Sequence, residues 1–164
     1  MIAVVSTQDK AAIAAQAGAH DVLLSSGDWR RQAIELTAGR GVDVVYDPVG
    51  GQRTDERVRA LAPEGRLLVI GFADGAIPTL ALNRVLLRNI SVVGAAWGHF
   101  AGTRPQVSRQ IAEDLARMAD EGAVAPIIGK TYPLTQASHA LADLEQRRAT
   151  GKLVLRTDTT EGQP

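Results

Sequence analysis

The sequence predicts an α/β fold, a parallel β-sheet covered by helices. Val42-Asp43-Val44-Val45-Tyr46-Asp47-Pro48-Val49-Gly50-Gly51 is a short β-branched run that stops at Asp-Pro and two glycines. That is the pattern of a strand buried on both faces. Similar runs recur at Leu67-Leu68-Val69-Ile70, closed by Gly71-Phe72-Ala73-Asp74-Gly75, and at Ile90-Ser91-Val92-Val93, closed by Gly94. They lie about 24 residues apart with helical patterns between them, the length of a strand–helix–strand crossover. In open sheets of this kind ligands bind beyond the carboxyl ends of the strands. The turns that close the runs are therefore the first place to look for a site.

The remaining elements follow in chain order. Ile2–Val5 reads as a strand. Ser6 or Thr7 is placed to cap an alanine-rich helix, Gln8–Ala17, which Gly18 ends. Asp21–Leu24 is a second strand, and Ser25-Ser26-Gly27 turns into a helix over Asp28–Ala38. Gly39-Arg40-Gly41 leads to the Val42 strand. A helix over Arg53–Ala62 with Val58, Leu61 and Ala62 on one face is expected to break at Pro63-Glu64-Gly65. Residues 74–82 read as a loop, and Asn83 as the cap of a short helix, Arg84–Arg88. The Ile90 strand should extend to Gly98-His99. Pro105–Asp120 carries Val107, Ile111, Leu115 and Met118 at helical spacing. Residues 123–132 read as irregular or extended. Thr135 should cap a last helix to Gln146, with Leu134, Ala137, Leu141 and Leu144 inward. Lys152–Arg156 is a final strand, and 158–164 a frayed polar tail.

Composition narrows the function classes. The chain has 164 residues, 45% apolar and 22% charged, with zero formal net charge. It is long enough for one domain with a core. Balanced charge gives no electrostatic reason to expect nucleic acid or an anionic membrane. There is no cysteine, which excludes disulfides and Cys-type zinc sites in this chain. No apolar run approaches 18 residues, so no membrane span is expected. The start lacks the basic region of a signal peptide. A cytoplasmic location is expected. His20, His99 and His139 are scattered without metal-ligand spacing and read as surface or loop residues.

Four pieces in register resemble one family. They are Ile2–Gly18 with its Ser-Thr-x-x-Lys; Gly41–Gly51; Pro63-Glu64-Gly65-Arg66-Leu67-Leu68-Val69-Ile70-Gly71; and Tyr132–Leu155, which closes with Ala-Thr-Gly-Lys-Leu-Val-Leu. Together they resemble the medium-chain dehydrogenase/reductases, in the zinc-independent quinone oxidoreductase branch, the zeta-crystallin-like group. The resemblance covers residues 1–157. It implies a Rossmann-like, doubly wound parallel sheet that lacks the first strand and its Gly-rich phosphate loop. Residues 1–157 would be the coenzyme-binding domain, incomplete at its N-terminus, with 152–156 as the strand that returns to a catalytic domain. The implied activity is hydride transfer from NADPH to a quinone or an α,β-unsaturated carbonyl, a small-molecule substrate.

The candidate cofactor residues come from that register. Ser6, Thr7 and Lys10 stand where an acidic residue would hold the ribose 2′-hydroxyl of NAD, and suit a 2′-phosphate instead. The plain alternative is a helix cap and a solvated lysine. Ser25 resembles a contact to the adenosine phosphate or ribose, or is a turn serine. Val49 and Gly50 belong to a turn that needs small residues where backbone approaches a ligand. Arg53 resembles a cofactor contact or is simply solvated. Ile70, Gly71, Phe72 and Ala73 would lie along the nicotinamide half, and Ala95, Ala96 and Trp97 would receive the carboxamide. Trp97 reads equally as an interface or core aromatic. No catalytic residue and no metal ligand is assigned.

Two other readings remain. One is a truncated, non-catalytic nucleotide-binding or interaction domain. The other is an S-adenosylmethionine-dependent methyltransferase, suggested by the strand ending in Asp-Pro. That class wants an acidic residue near Ser6 and an aromatic soon after Asp-Pro, and both are missing. The apolar strand 90–97, last in its sheet, is expected to pair two copies into a homodimer. In the order 3-2-1-4-5-6 the absent first strand is central, so residues 1–164 alone are expected to bind NADPH weakly and not to reduce a quinone.

Overall fold

The computed structural model describes residues 1–157, so the expected frayed tail, 158–164, lies outside the described residues. The described residues divide into two compact units, one built from residues 1–25 and 117–157, the other from residues 26–116.

The second unit holds a three-stranded parallel sheet in the order β3-β4-β5, from Val42–Asp47, Leu61–Val69 and Ser91–Gly94. Helices α2 (Trp29–Leu36), α3 (Thr54–Ala60), α4 (Leu82–Leu86) and α5 (Trp97–Thr103) alternate with the strands. The core is Val58, Leu61, Leu67 and Ile90, with Val42, Val45, Val69, Leu80 and Val85 packed against it. Fully burying a side chain such as Leu61 or Leu67 stabilises by about 1.5–3 kcal/mol.

The first unit contains two parallel pairs. β1 (Ile2–Val5) runs beside β2 (Asp21–Leu24), with α1 (Gln8–Gln16) between them in sequence. β6 (Ile128–Pro133) runs beside β7 (Lys152–Arg156), with α7 (Ala137–Glu145) between them. Helix α6 (Pro105–Asp120) contains the boundary between the units. The buried Asp143 of α7 ties the second pair together. It accepts hydrogen bonds from Lys130 Nζ at 2.9 Å and the Tyr132 hydroxyl on β6, and from Arg148 Nε at 2.8 Å.

β1, β2, α6 and β7 run over the residues the sequence predicts, while tertiary packing overrides several other expectations. β3 is covered on one face only: Val44 and Tyr46 are 51% and 66% exposed. An irregularity in register between Val42 and Val44 lets Val42 and Val45 both meet the core. Helix α3 stops at Ala60. Leu61 is extended at φ −65°, ψ 145°, and the proline at 63 disfavours the helical region for Ala62. Leu61 and Ala62 are buried as expected, but as the start of β4.

Asn83 lies inside α4, which starts from an extended Ala81, so it is not the cap. The expected strand 90–97 ends at Gly94, because its partner β4 ends at Val69, the residue paired with Gly94. Ala96 bends the chain, and Trp97 opens α5. Pro133 begins a 3-10 turn, Leu134–Gln136, so Thr135 is not a cap either. Leu134, Leu141 and Leu144 face outward, since Ala140 and Asp143 form the buried face of α7. The expected stripe on α6 is also open, with Leu115 51% exposed.

Hydrogen bonds from Tyr132, then Lys130 and Arg148, hold the Asp143 carboxyl well below the usual carboxylate range. A depressed folded-state value means stability that is present above the free aspartate value of 3.8 and lost as pH falls through the folded value. Asp143→Asn should therefore lower the urea midpoint at neutral pH, and its gap from wild type should close as pH drops below the free value. A gap independent of pH would refute this role for the charge.

Candidate functional site

The carboxyl ends of β3 and β4 are joined by a ladder of backbone bonds within the second unit. Ile70 N–H donates to Asp47 O at 2.9 Å, Ala73 N–H to Pro48 O at 3.1 Å, and Asp74 N–H to Val49 O at 2.9 Å. Gly51 N–H reaches Ala76 O at 3.1 Å. The β3 turn is shaped from inside by Asp47, whose Oδ1 accepts the N–H groups of Val49 and Gly50, both at 3.0 Å. Gly50 takes the left-handed φ of 64°, and a Cβ there would stand 2.7 Å from Phe72 Cδ1. Glycine thus lets the Phe72 ring lie against the turn. Ala95 N–H donates to Val69 O at 3.0 Å and brings the end of β5 to the same edge.

This arrangement brings together Val49, Gly50, Ile70, Gly71, Phe72, Ala73, Ala95 and Ala96. Trp97 is half exposed and stacks on Phe100 with ring centroids 6.0 Å apart. Arg53 is engaged by Glu56, with Nη2 2.8 Å from Oε2. That bond holds the Glu56 carboxyl below its ordinary range. The two residues line an open groove of about 510 Å³ in which Arg30, Arg53 and Arg59 face Asp28, Asp55 and Glu56. Opposite charges balance there.

In the first unit, β1 and β2 end at the pair Val5 and Leu24, and Ser25 N–H donates to Val5 O at 2.8 Å. Ser6, Thr7 and Ser25 therefore share one carboxyl edge. Thr7 Oγ1 accepts the Lys10 N–H at 3.4 Å and caps α1, which fixes Lys10 in the first helical turn. The Thr7 cap is the one named in the plain alternative for this segment.

The sequence reading missed the side chains that hold the β3 turn: Asp47 from within and, from α3, Thr54, whose hydroxyl donates to Gly51 O at 3.0 Å, and Arg57, whose Nη1 donates to Gly50 O at 2.7 Å. The signal was a Thr and an Arg three apart at a helix start, which share a face. Among the described residues no group of three or more His, Cys, Asp or Glu is placed to hold a metal ion.

Gly50→Ala should destabilise by about 1–2 kcal/mol for its left-handed backbone alone, and further because it strikes Phe72. Gly75 has φ 82° with nothing within 4 Å of a built Cβ, so Gly75→Ala carries only the backbone cost. Urea unfolding of both variants measures the difference; equal losses would remove Phe72 from the account.

A family model described as zinc-binding dehydrogenase matches residues 17–155. Quinone oxidoreductase-like protein 2 of Bos taurus is 36% identical over 157 residues, 94% of this chain and 45% of that protein. The solved quinone oxidoreductase of Pseudomonas syringae is 30% identical with a TM-score of 0.83, over 94% of this chain and 48% of that one. A mycobacterial protein solved in complex with NADPH is 34% identical with a TM-score of 0.80, over 94% of this chain and 49% of that one. The chain thus spans about half the length of the relatives it matches, and its fold is Rossmann-like. On the family match and these relatives, the chain belongs to the zinc-binding dehydrogenase family, as a quinone oxidoreductase-like member of the medium-chain dehydrogenase/reductases.

Proposed function

We propose that residues 1–157 are the coenzyme-binding domain of an NADPH-dependent oxidoreductase that passes a hydride to a quinone or an α,β-unsaturated carbonyl. The observation that carries this reading is the pair of turns after β3 and β4, locked together by backbone bonds, with the partly exposed Phe72 ring seated against Gly50. Such a surface offers a flat ligand an aromatic ring beside rigid backbone, and it fits a nicotinamide cofactor. When bound, that cofactor supplies the hydride. Val49, Gly50, Ile70, Gly71, Phe72 and Ala73 orient the nicotinamide half, and Ala95, Ala96 and Trp97 receive its carboxamide. The half-exposed rings of Phe72 and Trp97 keep water from that half.

Ser6, Thr7 and Lys10 hold the 2′-phosphate, Ser25 the adenosine side, and Arg53 a further polar contact. The relative solved with NADPH supports the choice of cofactor. A charge-assisted hydrogen bond is worth about 1.5–3 kcal/mol. Lys10→Ala in the complete protein should therefore weaken NADPH by about ten- to hundredfold and leave NADH nearly unchanged, as read by calorimetry. Equal loss for both cofactors would refute the assignment. Binding of S-adenosylmethionine in place of NADPH would return the methyltransferase reading.

Among the described residues β5 has one ladder neighbour, β4, and its own residues are exposed. An unpaired apolar edge of this kind templates a second chain. The reading therefore includes a homodimer through Ser91–Gly94, with Trp97 beside it on α5. Light scattering of the complete protein at micromolar concentration should give a dimer, and a monomer would count against it. No helix of the described residues is long and apolar enough to cross a membrane.

A further inference from the structure

The turn after β3 is held from outside by two side chains of α3, Thr54 and Arg57, and Arg57 is the one that reaches both of its ends. Arg57 is 16% exposed and lies on α3, the helix that follows the turn. Helical side chains lean back toward the N-terminus, and the turn is what lies there. Arg57 Nη1 donates to Gly50 O at 2.7 Å. Its Nε stands 3.4 Å from Asp47 Oδ1, the same oxygen that accepts the Val49 and Gly50 N–H groups. Nη1 is also 3.4 Å from Thr54 Oγ1, and Thr54 donates in turn to Gly51 O at 3.0 Å. Asp47 is only 4% exposed. One guanidinium therefore spans both ends of the turn, and its charge sits beside a carboxylate shielded from water.

We infer that Arg57 is the positioning residue of this turn: its guanidinium links the Asp47 carboxylate to the Gly50 carbonyl and so sets how firmly the Val49-Gly50 backbone is presented to the cofactor. The inference rests on the coenzyme reading above. Arginine suits the task because its planar fork carries several donors in fixed directions. A lysine has one compact ammonium, which reaches the carboxylate or the carbonyl but does not span the two. Asp47 alone fixes the inner side of the turn. Arg57 adds the outer restraint and ties the turn to α3, whose Val58 is part of the core.

The test uses the complete protein as wild type, Arg57→Met and Arg57→Lys. It reads amide hydrogen exchange at Val49 and Gly50 against Leu67 and Leu68 in β4, together with KM for NADPH and kcat with a quinone acceptor. In Arg57→Met, the Val49 and Gly50 amides should exchange about tenfold faster while β4 keeps its protection, and KM should rise about tenfold with kcat within about twofold, the size expected for losing one charge-assisted bond. Arg57→Lys should fall between the two. It retains the charge beside Asp47, so it carries the comparison if the methionine variant fails to fold.

Unchanged exchange at Val49 and Gly50 overturns the inference. So does a loss of protection that extends through β4 with lower kcat and unchanged KM, which marks a merely structural residue. Faster exchange with unchanged KM also overturns it, since the turn would then not serve the cofactor. A wild type that neither binds nor oxidises NADPH refutes the coenzyme reading instead, and the exchange data then decide by themselves whether Arg57 holds the turn.

Discussion

The Asp47 carboxylate is the constraint on which the candidate site depends. It ends β3 and is shielded from water. A buried carboxylate without partners is costly, so the chain must bring donors to it. The nearest are the backbone N–H groups of Val49 and Gly50, and satisfying them curls the chain into the turn seen after the strand. Once curled, the turn offers the carbonyls of Pro48 and Val49 to Ala73 and Asp74, and the segment after β4 follows its shape. The geometry of two loops thus traces back to the solvation of one side chain.

The first unit uses an aspartate differently. Asp143 comes from the middle of a helix and gathers side chains rather than backbone groups, from β6 and from the turn after α7. Its effect is to choose which face of α7 turns inward. Ala140 and Asp143 are buried while the leucines on either side of them face outward. Apolar spacing by itself would have turned the helix the other way. A buried charge with three donors outweighs the apolar spacing of the leucines.

Elements whose causes are local were legible in the sequence. β1, β2, α6 and β7 follow from β-branched runs, caps and glycine stops, all within a few residues. Where the cause lies elsewhere in the chain, the reading failed. Trp97 continues an apolar run, yet the strand stops at Gly94 because the neighbouring strand has ended. Leu61 carries a helical pattern, yet joins β4, where it pairs with Val42 of β3. The candidate site divides in the same way. Asp-Pro-Val-Gly-Gly announced a turn at a strand end. The spacing of Thr54 and Arg57 puts them on one face of α3, but that this face meets the turn depends on how α3 is aimed.

The bonds between the two loops have one further consequence. They run from main chain to main chain, from Asp47, Pro48 and Val49 to Ile70, Ala73 and Asp74. The carbonyls of Pro48 and Val49 receive these bonds without any help from their own side chains, and each donating N–H is lost only to proline. The side chains of Val49 and Ala73, both exposed, can therefore be exchanged without loosening the scaffold beneath them. What the surface prefers to hold and how rigidly it is held are written in separate parts of the chain, so substitution can change the first and leave the second in place.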